Sequence, residues 1–396
     1  MNPDLGKLQS YPFEKLRALY AQVVPNESYA PISLSIGEPK HPTPEFIQRA
    51  LADNLAGLAA YPATAGADSL RIAIAEWLQR RYRLPQVDPA TQVLPVNGSR
   101  EALFAIAQTV IDHTRDPVVI CPNPFYQIYE GAALLAGATP YYVNARHENA
   151  FAIDYSGVPD DIWPRVQLLY CCSPSNPTGR VMNLDEWRTL FALSDRHGFV
   201  IVSDECYSEL YFDEANPPLG ALEAAHKLGR DGFPRLIVFS SLSKRSNVPG
   251  MRSGFVAGDA QLMKQFLLYR TYHGSAMSPS IQEASEAAWL DEAHVVENRR
   301  LYREKFSAGR ELLGAPLSAA IPAGGFYFWI RTPIDDAAFA QGLYANYNVA
   351  VLPGSYLARE AHGLNPGAHY IRVALVAPLD ECLEGLRRLN AYAQTL

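Results

Sequence analysis

Lys244 lies in the stretch "SSLSKRSNVPGMRSGF" (240–255), with Ser241 and Ser243 just before it and Arg252 eight residues after. A lysine on an exposed helix face needs no such company. An amine that must bond to a phosphorylated aldehyde does, because the phosphate requires hydroxyl and guanidinium donors. Gly250 and Gly254 allow tight backbone turns beside such a ligand. A second anion handle is Gly98-Ser99-Arg100, where small residues open an apolar helical run. Free backbone N–H groups and the helix dipole favour negative charge there. Ser99 alone also reads as an ordinary N-cap.

Asp204 directly follows the apolar run "GFVIVS". A carboxylate at a buried strand end is costly without a cationic partner. A pyridinium nitrogen is such a partner, and the carboxylate would keep it protonated. Tyr207 and Asn176 can hydrogen-bond a phenolate oxygen on the same ring, and Tyr126, in "NPFYQIY", can stack on the ring face. Asp204 as a cap of the next helix and Tyr126 as a core residue are the structural alternatives. Phosphate, protonated pyridine, phenolate and amine together describe pyridoxal 5'-phosphate, held as a Schiff base on Lys244 with Asp204 maintaining its electron sink.

These residues sit at the ends of predicted elements. The runs "PVVICP" (117–122), "VQLLYCCSP" (166–174), "GFVIVSD" (198–204), "RLIVFSS" (235–241) and "SGFVAGD" (253–259) are short, apolar and bounded by Pro, Gly, Ser or Asp. They read as buried strands. Helical stretches such as "EALFAIAQTVIDH", "QIYEGAALLAGA" and "LDEWRTLFALSDRHG" lie between them, the last ended by Gly198. Alternation of this kind predicts an α/β fold, an open and mostly parallel sheet with helices on both faces. Ligands gather beyond the carboxyl ends of the strands in such sheets. From about residue 290 a long polar helix, the runs "GGFYFWIR", "VAVLPG" and "YIRVALV", and a closing helix suggest a smaller α+β domain. The expected division is a large domain over 48–288 and a small one from 1–47 and 289–396, with an N-terminal arm.

At 396 residues the chain can bury a large core, and 48% hydrophobic with 19% charged residues is ordinary for a globular protein. A net charge of −7 with scattered Lys and Arg argues against a nucleic-acid partner. Five cysteines without framework spacing suggest reduced thiols; adjacent Cys171 and Cys172 read as buried strand residues. There is no secretory-type N-terminus and no apolar run near the ~20 residues of a membrane span, so a cytoplasmic location is the expectation.

The chain resembles the class I/II aminotransferases of the fold-type I pyridoxal-phosphate enzymes. Four signatures match in order: "SIGEPKHPTP" (35–44), "YPATAGADSLRIAIAEWLQRRY" (61–82), "SPSNPTGRV" (173–181) with "SDECYSELYF" (203–212), and "SSLSKRSNVPGMRSGF" (240–255). "PAGGFYFWI" and "YIRVALV" follow suit, so the resemblance covers essentially the whole chain. It implies Lys244 as the Schiff-base lysine, Asp204 on the ring nitrogen, Asn176 and Tyr207 on the phenolate oxygen, and Tyr126 stacked on the ring. Ser99, Arg100, Ser241 and Arg252 would hold the phosphate. Tyr61 matches a tyrosine that reaches the phosphate of a neighbouring subunit, which implies a homodimer. Arg372 would clamp the substrate α-carboxylate, with Gly37 beside it. The stacking position departs from the commonest pattern, with Tyr where Trp is usual, and Arg100 fills a position that varies within the family.

The lysine-flanking segment "SLSKRSNVPGMRSGFVAGD" is similar to that of succinyldiaminopimelate aminotransferases. The implied reaction moves an amino group between glutamate/2-oxoglutarate and N-succinyl-2-amino-6-oxopimelate. Aminotransfer on aspartate, alanine or an aromatic acid, or β-elimination on the same scaffold, are the alternatives. A transcription regulator built on this fold is disfavoured, because "SIGEPK" begins by residue 35 and the chain is acidic. Both expected substrates carry a distal carboxylate, so a second cation is expected; Lys40, Arg245 and His273 are candidates only by nearness to motifs.

Overall fold

Short β-branched runs pair wherever both faces can be covered, and the computed structural model, which describes residues 1–396, contains twelve strands. In chain order they are β1 (Ile32–Ser33), β2 (Val93–Val96), β3 (Val118–Asn123), β4 (Thr139–Asn144), β5 (Val166–Cys172), β6 (Val200–Asp204), β7 (Leu236–Ser241), β8 (Gly254–Gly258), β9 (Tyr327–Arg331), β10 (Val349–Ala350), β11 (Leu352–Pro353) and β12 (Tyr370–Ala374). Seven of them form one sheet in the order β2-β8-β7-β6-β5-β3-β4, in which only β8 runs against the rest. All five runs read as strands lie in this sheet. Two strands escape the sequence patterns. The run "VLPV" contains Pro95, which normally argues against a strand, yet β2 is an edge strand, where a missing N–H is tolerated. The other edge, β4, is partly exposed and lacks a continuous apolar run.

Successive residues of a central strand point to opposite faces and enter different cores. Leu169, Ile201 and Val238 join one buried cluster under the helices Asp68–Tyr82, Leu184–His197, Ala221–Lys227 and Pro279–Leu290. Leu168, Val202 and Phe239 join the other, under Ser99–Val110, Ile128–Leu135 and Ala260–His273. Burying each of these side chains contributes roughly 1.5–3 kcal/mol. From β3 the chain steps outward to β4, then returns to place β5 on the opposite side of β3. The reversal creates a crevice at the carboxyl ends of β3 and β5, the expected ligand position in a doubly wound sheet.

A second sheet, β11-β12-β9, is antiparallel and packs under the helices Ala293–Glu311, Asp336–Tyr347 and Leu379–Ala393 around a separate buried cluster. The N-terminal segment joins this part of the molecule: β1 pairs in parallel with β10, and the Tyr20 hydroxyl donates to the Val351 carbonyl at 3.2 Å. Residues 34–43 then form a strap leading back toward the large sheet. No helix is long and apolar enough to cross a membrane.

Candidate active site

The carboxyl ends of β5, β6 and β7 and the loop after β3 open into a cavity of about 390 Å³. It is lined by Gly37, Ser99, Arg100, Tyr126, Asn176, Asp204, Tyr207, Ser241, Lys244, Arg252 and Arg372. Eleven of the twelve site residues singled out from sequence therefore converge. The twelfth, Tyr61, is fully exposed, at 102% of its reference area, and does not line the cavity of the single chain.

Lys244 sits in the four-residue helix Leu242–Arg245, capped by Ser241, whose Oγ accepts from the Ser243 N–H at 3.1 Å. The Lys244 amine donates to the Gly37 carbonyl at 2.7 Å and lies 5.3 Å from the centre of the Phe326 ring. Burial lowers its pKa to about 8, with the charges of Arg372 and Arg252 adding to the effect. A usable fraction is therefore neutral near pH 7–8, as a nucleophile and proton acceptor requires.

Asp204 ends β6 and is buried. Its oxygens accept from the Tyr129 hydroxyl at 2.7 Å and the Cys206 N–H at 3.2 Å, and no cation of the protein pairs with it. Burial raises its pKa, outweighing its hydrogen bonds and the nearby charge of Lys244. No helix starts there, so the capping alternative fails. Tyr129, which fixes this carboxylate, lies within a stretch that the sequence reads only as an apolar helix. Its ring stacks on Tyr170 at 4.7 Å, and only its position three residues after Tyr126 hints at a role.

The anion end lies at the start of the helix Ser99–Val110, where Gly98 rather than Ser99 is the N-cap residue. Gly98 has φ +81°, and a Cβ there would fall 2.2 Å from the Arg252 guanidinium, so glycine alone permits this approach. Arg252 also donates to the Pro249 carbonyl at 2.9 Å. The Ser99 hydroxyl accepts from the Cys206 thiol at 3.0 Å. Arg100 turns aside: its guanidinium donates to the hydroxyls of Tyr126 and, at 2.8 Å, of Tyr11, and it has no carboxylate partner. Cys172, read as a buried strand residue, is half-buried and lines the cavity.

At the opposite end Arg372, on β12, donates to the Asn176 side-chain oxygen at 3.0 Å and the Ser35 carbonyl at 2.9 Å. Because Asn176 accepts with its oxygen, its amide nitrogen remains available as a donor. The Arg372 Nε is buried without any partner. Tyr327, inside the quoted "GGFYFWI" yet not singled out, closes this end. Its hydroxyl lies 3.0 Å from that of Tyr207, its ring lies 4.2 Å from the Arg372 guanidinium carbon, and a Cβ on Gly37 would fall 1.9 Å from its oxygen.

The proposed distal cations are not here. Arg245 is fully buried elsewhere, donating to the Ala288 and Asp291 carbonyls and pairing with Glu292. Lys40 is half exposed beside Glu381 at 3.9 Å, and His273 stacks on Tyr269 at a helix end. Besides Lys244, Arg252 and Arg372, the cavity is lined by one further cation without a carboxylate partner, Arg100.

This donor set fits pyridoxal 5'-phosphate. An uncompensated buried carboxylate suits the ring nitrogen, a glycine-floored helix start with Arg252 suits the phosphate, and an available amide donor suits the phenolate oxygen.

Comparison with known proteins agrees. A family model, aminotransferase class I and II, matches residues 30–387. The chain is 49% identical to a solved aminotransferase from Neisseria meningitidis, with a TM-score of 0.96 over 99% of both chains. It is 31% identical over 370 residues, 91% of each protein, to an LL-diaminopimelate aminotransferase from Dehalococcoides mccartyi. A probable N-succinyldiaminopimelate aminotransferase from Thermus thermophilus superposes with a TM-score of 0.82 at 25% identity, covering 96% of this chain and 98% of that one.

Proposed function

Since the chain belongs to the aminotransferase class I and II family and is a pyridoxal 5'-phosphate-dependent aminotransferase, we propose that its amino-group exchange links glutamate/2-oxoglutarate to a diaminopimelate skeleton, with N-succinyl-2-amino-6-oxopimelate as the oxo acid. Two relatives named for diaminopimelate substrates support the skeleton, and the lysine-flanking segment supports the succinyl form.

The observation that carries the reading is the pair of cations at the cavity. Arg372 has a buried, unclaimed Nε, and Arg100 has only phenol partners. An amino acid with an α-carboxylate and a distal carboxylate satisfies both. Arg372 holds the α-carboxylate with a planar, charge-assisted grip and so fixes the direction of the Cα–H bond. The Lys244 amine removes the Cα proton and delivers it again on the same face of the cavity. Asp204, held by Tyr129, would pair with the ring nitrogen of bound pyridoxal 5'-phosphate, and Tyr207 and Asn176 would donate to its phenolate oxygen. Bound pyridoxal 5'-phosphate supplies the aldehyde that takes the amino group and the ring that spreads the electron pair. Glutamate thereby leaves as 2-oxoglutarate, and the same residues act in reverse on the second oxo acid.

The working unit in this reading is a homodimer in which Tyr61 reaches the phosphate of the other subunit. The exposed Leu55, Leu58, Tyr61, Leu268 and Tyr272 support it. Sedimentation at micromolar concentration should find a dimer; a monomer of full activity would remove that part.

The substrate test compares N-succinyl-LL-diaminopimelate, LL-diaminopimelate, aspartate, alanine and phenylalanine as donors to 2-oxoglutarate. The succinyl compound should have the highest kcat/KM. A tenfold preference for free LL-diaminopimelate would overturn the succinyl assignment, and a preference for aspartate would overturn the diaminopimelate skeleton. Pyruvate and ammonia released from cystathionine without an acceptor would indicate a lyase.

A further inference from the structure

Lys305, on the helix Ala293–Glu311, is only 2% exposed and has no acidic partner. Its Nζ lies 2.7 Å from Nε2 of His41, a residue of the strap, with the Val376 carbonyl at 3.4 Å. On its other side the His41 ring places Nδ1 2.8 Å from the side-chain oxygen of buried Asn298. Nothing in the cofactor chemistry above uses this chain of contacts.

The protons in it can be assigned from its two ends. The Asn298 amide nitrogen donates to the carbonyls of Lys244 at 3.2 Å and Arg245 at 3.5 Å, groups that only accept. The Asn298 oxygen is therefore the atom facing His41 and also accepts from Asn247 at 3.1 Å. So His41 must carry its hydrogen on Nδ1, which leaves a lone pair on Nε2. Lys305 then donates into that lone pair, and a second proton on the imidazole would confront the ammonium directly. Two bases hold one positive charge between them.

The strap that carries His41 also carries Gly37, whose carbonyl accepts from the Lys244 amine, and Ser35, whose carbonyl accepts from Arg372. Thr43 adds a hydrogen bond to the Asn247 carbonyl at 2.7 Å. Thus His41 grips, through Asn298, the backbone of the same lysine whose side chain its own strap receives. We propose that His41 and Lys305 are a one-proton positioning pair that seats the strap on the Lys244 turn, and thereby sets how tightly the amino-acid end of the cavity closes on its substrate.

The other groups facing the pair are few. Tyr302 places its ring 5.1 Å from the Lys305 Nζ and 4.6 Å from the His41 ring, with its own hydroxyl unpartnered. The Cys382 thiol, pushed up to about 11 by burial, donates to the Ala377 carbonyl. Glu297 is bonded to Arg300, and Lys40 pairs with Glu381. Glu297, already held by Arg300, also favours the charged form of His41, but no acid pairs directly with either base. Burial lowers Lys305 to about 8 and also lowers His41. The charge-assisted bond is whole near neutrality. It weakens as pH rises through 8, and it breaks at acid pH when the imidazole takes a second proton.

The kinetic consequence rests on Lys244 as the cofactor lysine, whereas the proton assignment does not, so each can fail alone. Nitrogen-15 histidine spectra of the cofactor-free chain, with His41 assigned by His41→Gln, should show the Nδ1–H tautomer and a shift of Nε2 with a midpoint near pH 8. That inflection should vanish in Lys305→Met, and the double variant Asn298→Ala/Lys305→Met should lose the tautomer preference. In the holoenzyme at pH 7, Lys305→Met should raise the KM of the amino donor ~3–10-fold with kcat nearly constant, less than the full worth of a charge-assisted bond because the pair acts on the substrate only through the strap. Wild-type KM should climb toward the variant's above pH 8. If Lys305→Met does not fold, His41→Gln breaks the same link from the half-buried strap. An Nε2–H tautomer, or unchanged KM and pH profile in both variants, overturns the proposal.

Discussion

The cofactor side of the cavity is assembled from one stretch of chain, whereas the substrate side is assembled from both ends. Asp204, Ser241 and Lys244 project from neighbouring strand ends, with Asp204 paired in register to Phe239 and Ser241 to Gly254. Their supporting bonds are mostly short-range, such as Ser241 to Ser243 and Asp204 to Cys206. Across the cavity, Arg372 meets Ser35 over 337 positions and Asn176 over 196, and Lys244 meets Gly37 over 207. Such contacts exist only once both cores have formed and docked. In the proposed reading the sheet therefore fixes where the chemistry occurs, and the strap with the second sheet decides what is held there. Damage to the first side should appear in kcat and in cofactor binding, and damage to the second chiefly in KM.

The largest expected effect is on the cofactor side. Lys244→Ala should lose the borohydride-trappable cofactor adduct and lower turnover by more than about 10³-fold, since proton transfer by a placed base supplies ~10²–10⁴. Peptide mass spectrometry of the reduced holoenzyme reads the first and single-turnover kinetics the second. Asp204→Asn keeps the shape and removes the charge. It should cost ~10²–10³ in kcat, the scale for a preorganised electrostatic partner, and leave KM within a few-fold. A pure KM effect in either variant would erase the contrast between the two sides.

That contrast also explains what was legible beforehand. Asp204, Asn176 and Lys244 each follow a recognisable apolar run, so the strand pattern alone puts them at one edge of a sheet. Gly37 and Arg372 lie far from that pattern, and their roles were implied only by resemblance to a family. Tyr327 was hidden because one more aromatic in "GGFYFWI" looks like core. Asn298 and Lys305 carry no signal, because a buried lysine on a polar helix is indistinguishable in sequence from a solvated one, and His41, though inside "SIGEPKHPTP", has no partner visible there. The edge strands β2 and β4 escape for two reasons: Pro95 argues against a strand in fully buried β2, and partly exposed β4 lacks the continuous apolar run that marks its neighbours.

Arg372→Ala should sharpen the comparison from the substrate side. Removing a charge-assisted pair of ~1.5–3 kcal/mol should lower kcat/KM about 10–150-fold for every amino and oxo acid, with the cofactor absorbance intact. Gly37→Ala should do less. The new Cβ would fall 1.9 Å from the Tyr327 hydroxyl, which packs against Tyr207 and Arg372, so the strap must lift slightly. A KM rise of roughly 3–10-fold, from loss of about one hydrogen bond's worth of fit, is expected. A crystal structure of the variant should show the Gly37 carbonyl drawn away from the Lys244 amine.

The smallest effect concerns stability. Burial lowers the Lys244 amine from its ordinary 10.5 to about 8, so between those pH values the unfolded chain binds more protons than the folded one. Unfolding free energy from this group therefore rises with pH across that window, and the cost of burying the charge is fully present below pH 8. Lys244→Met removes the charge and keeps most of the side-chain volume. The cofactor-free variant should be more stable than wild type at pH 7 by about 1–3 kcal/mol, and the gap should shrink from pH 8 to 10 as the wild-type amine loses its proton. Urea unfolding at pH 7, 8.5 and 10 measures the gap directly. A gap that does not change with pH would mean that packing, rather than the buried charge, separates the two proteins, and the cofactor side would then carry no stored electrostatic cost.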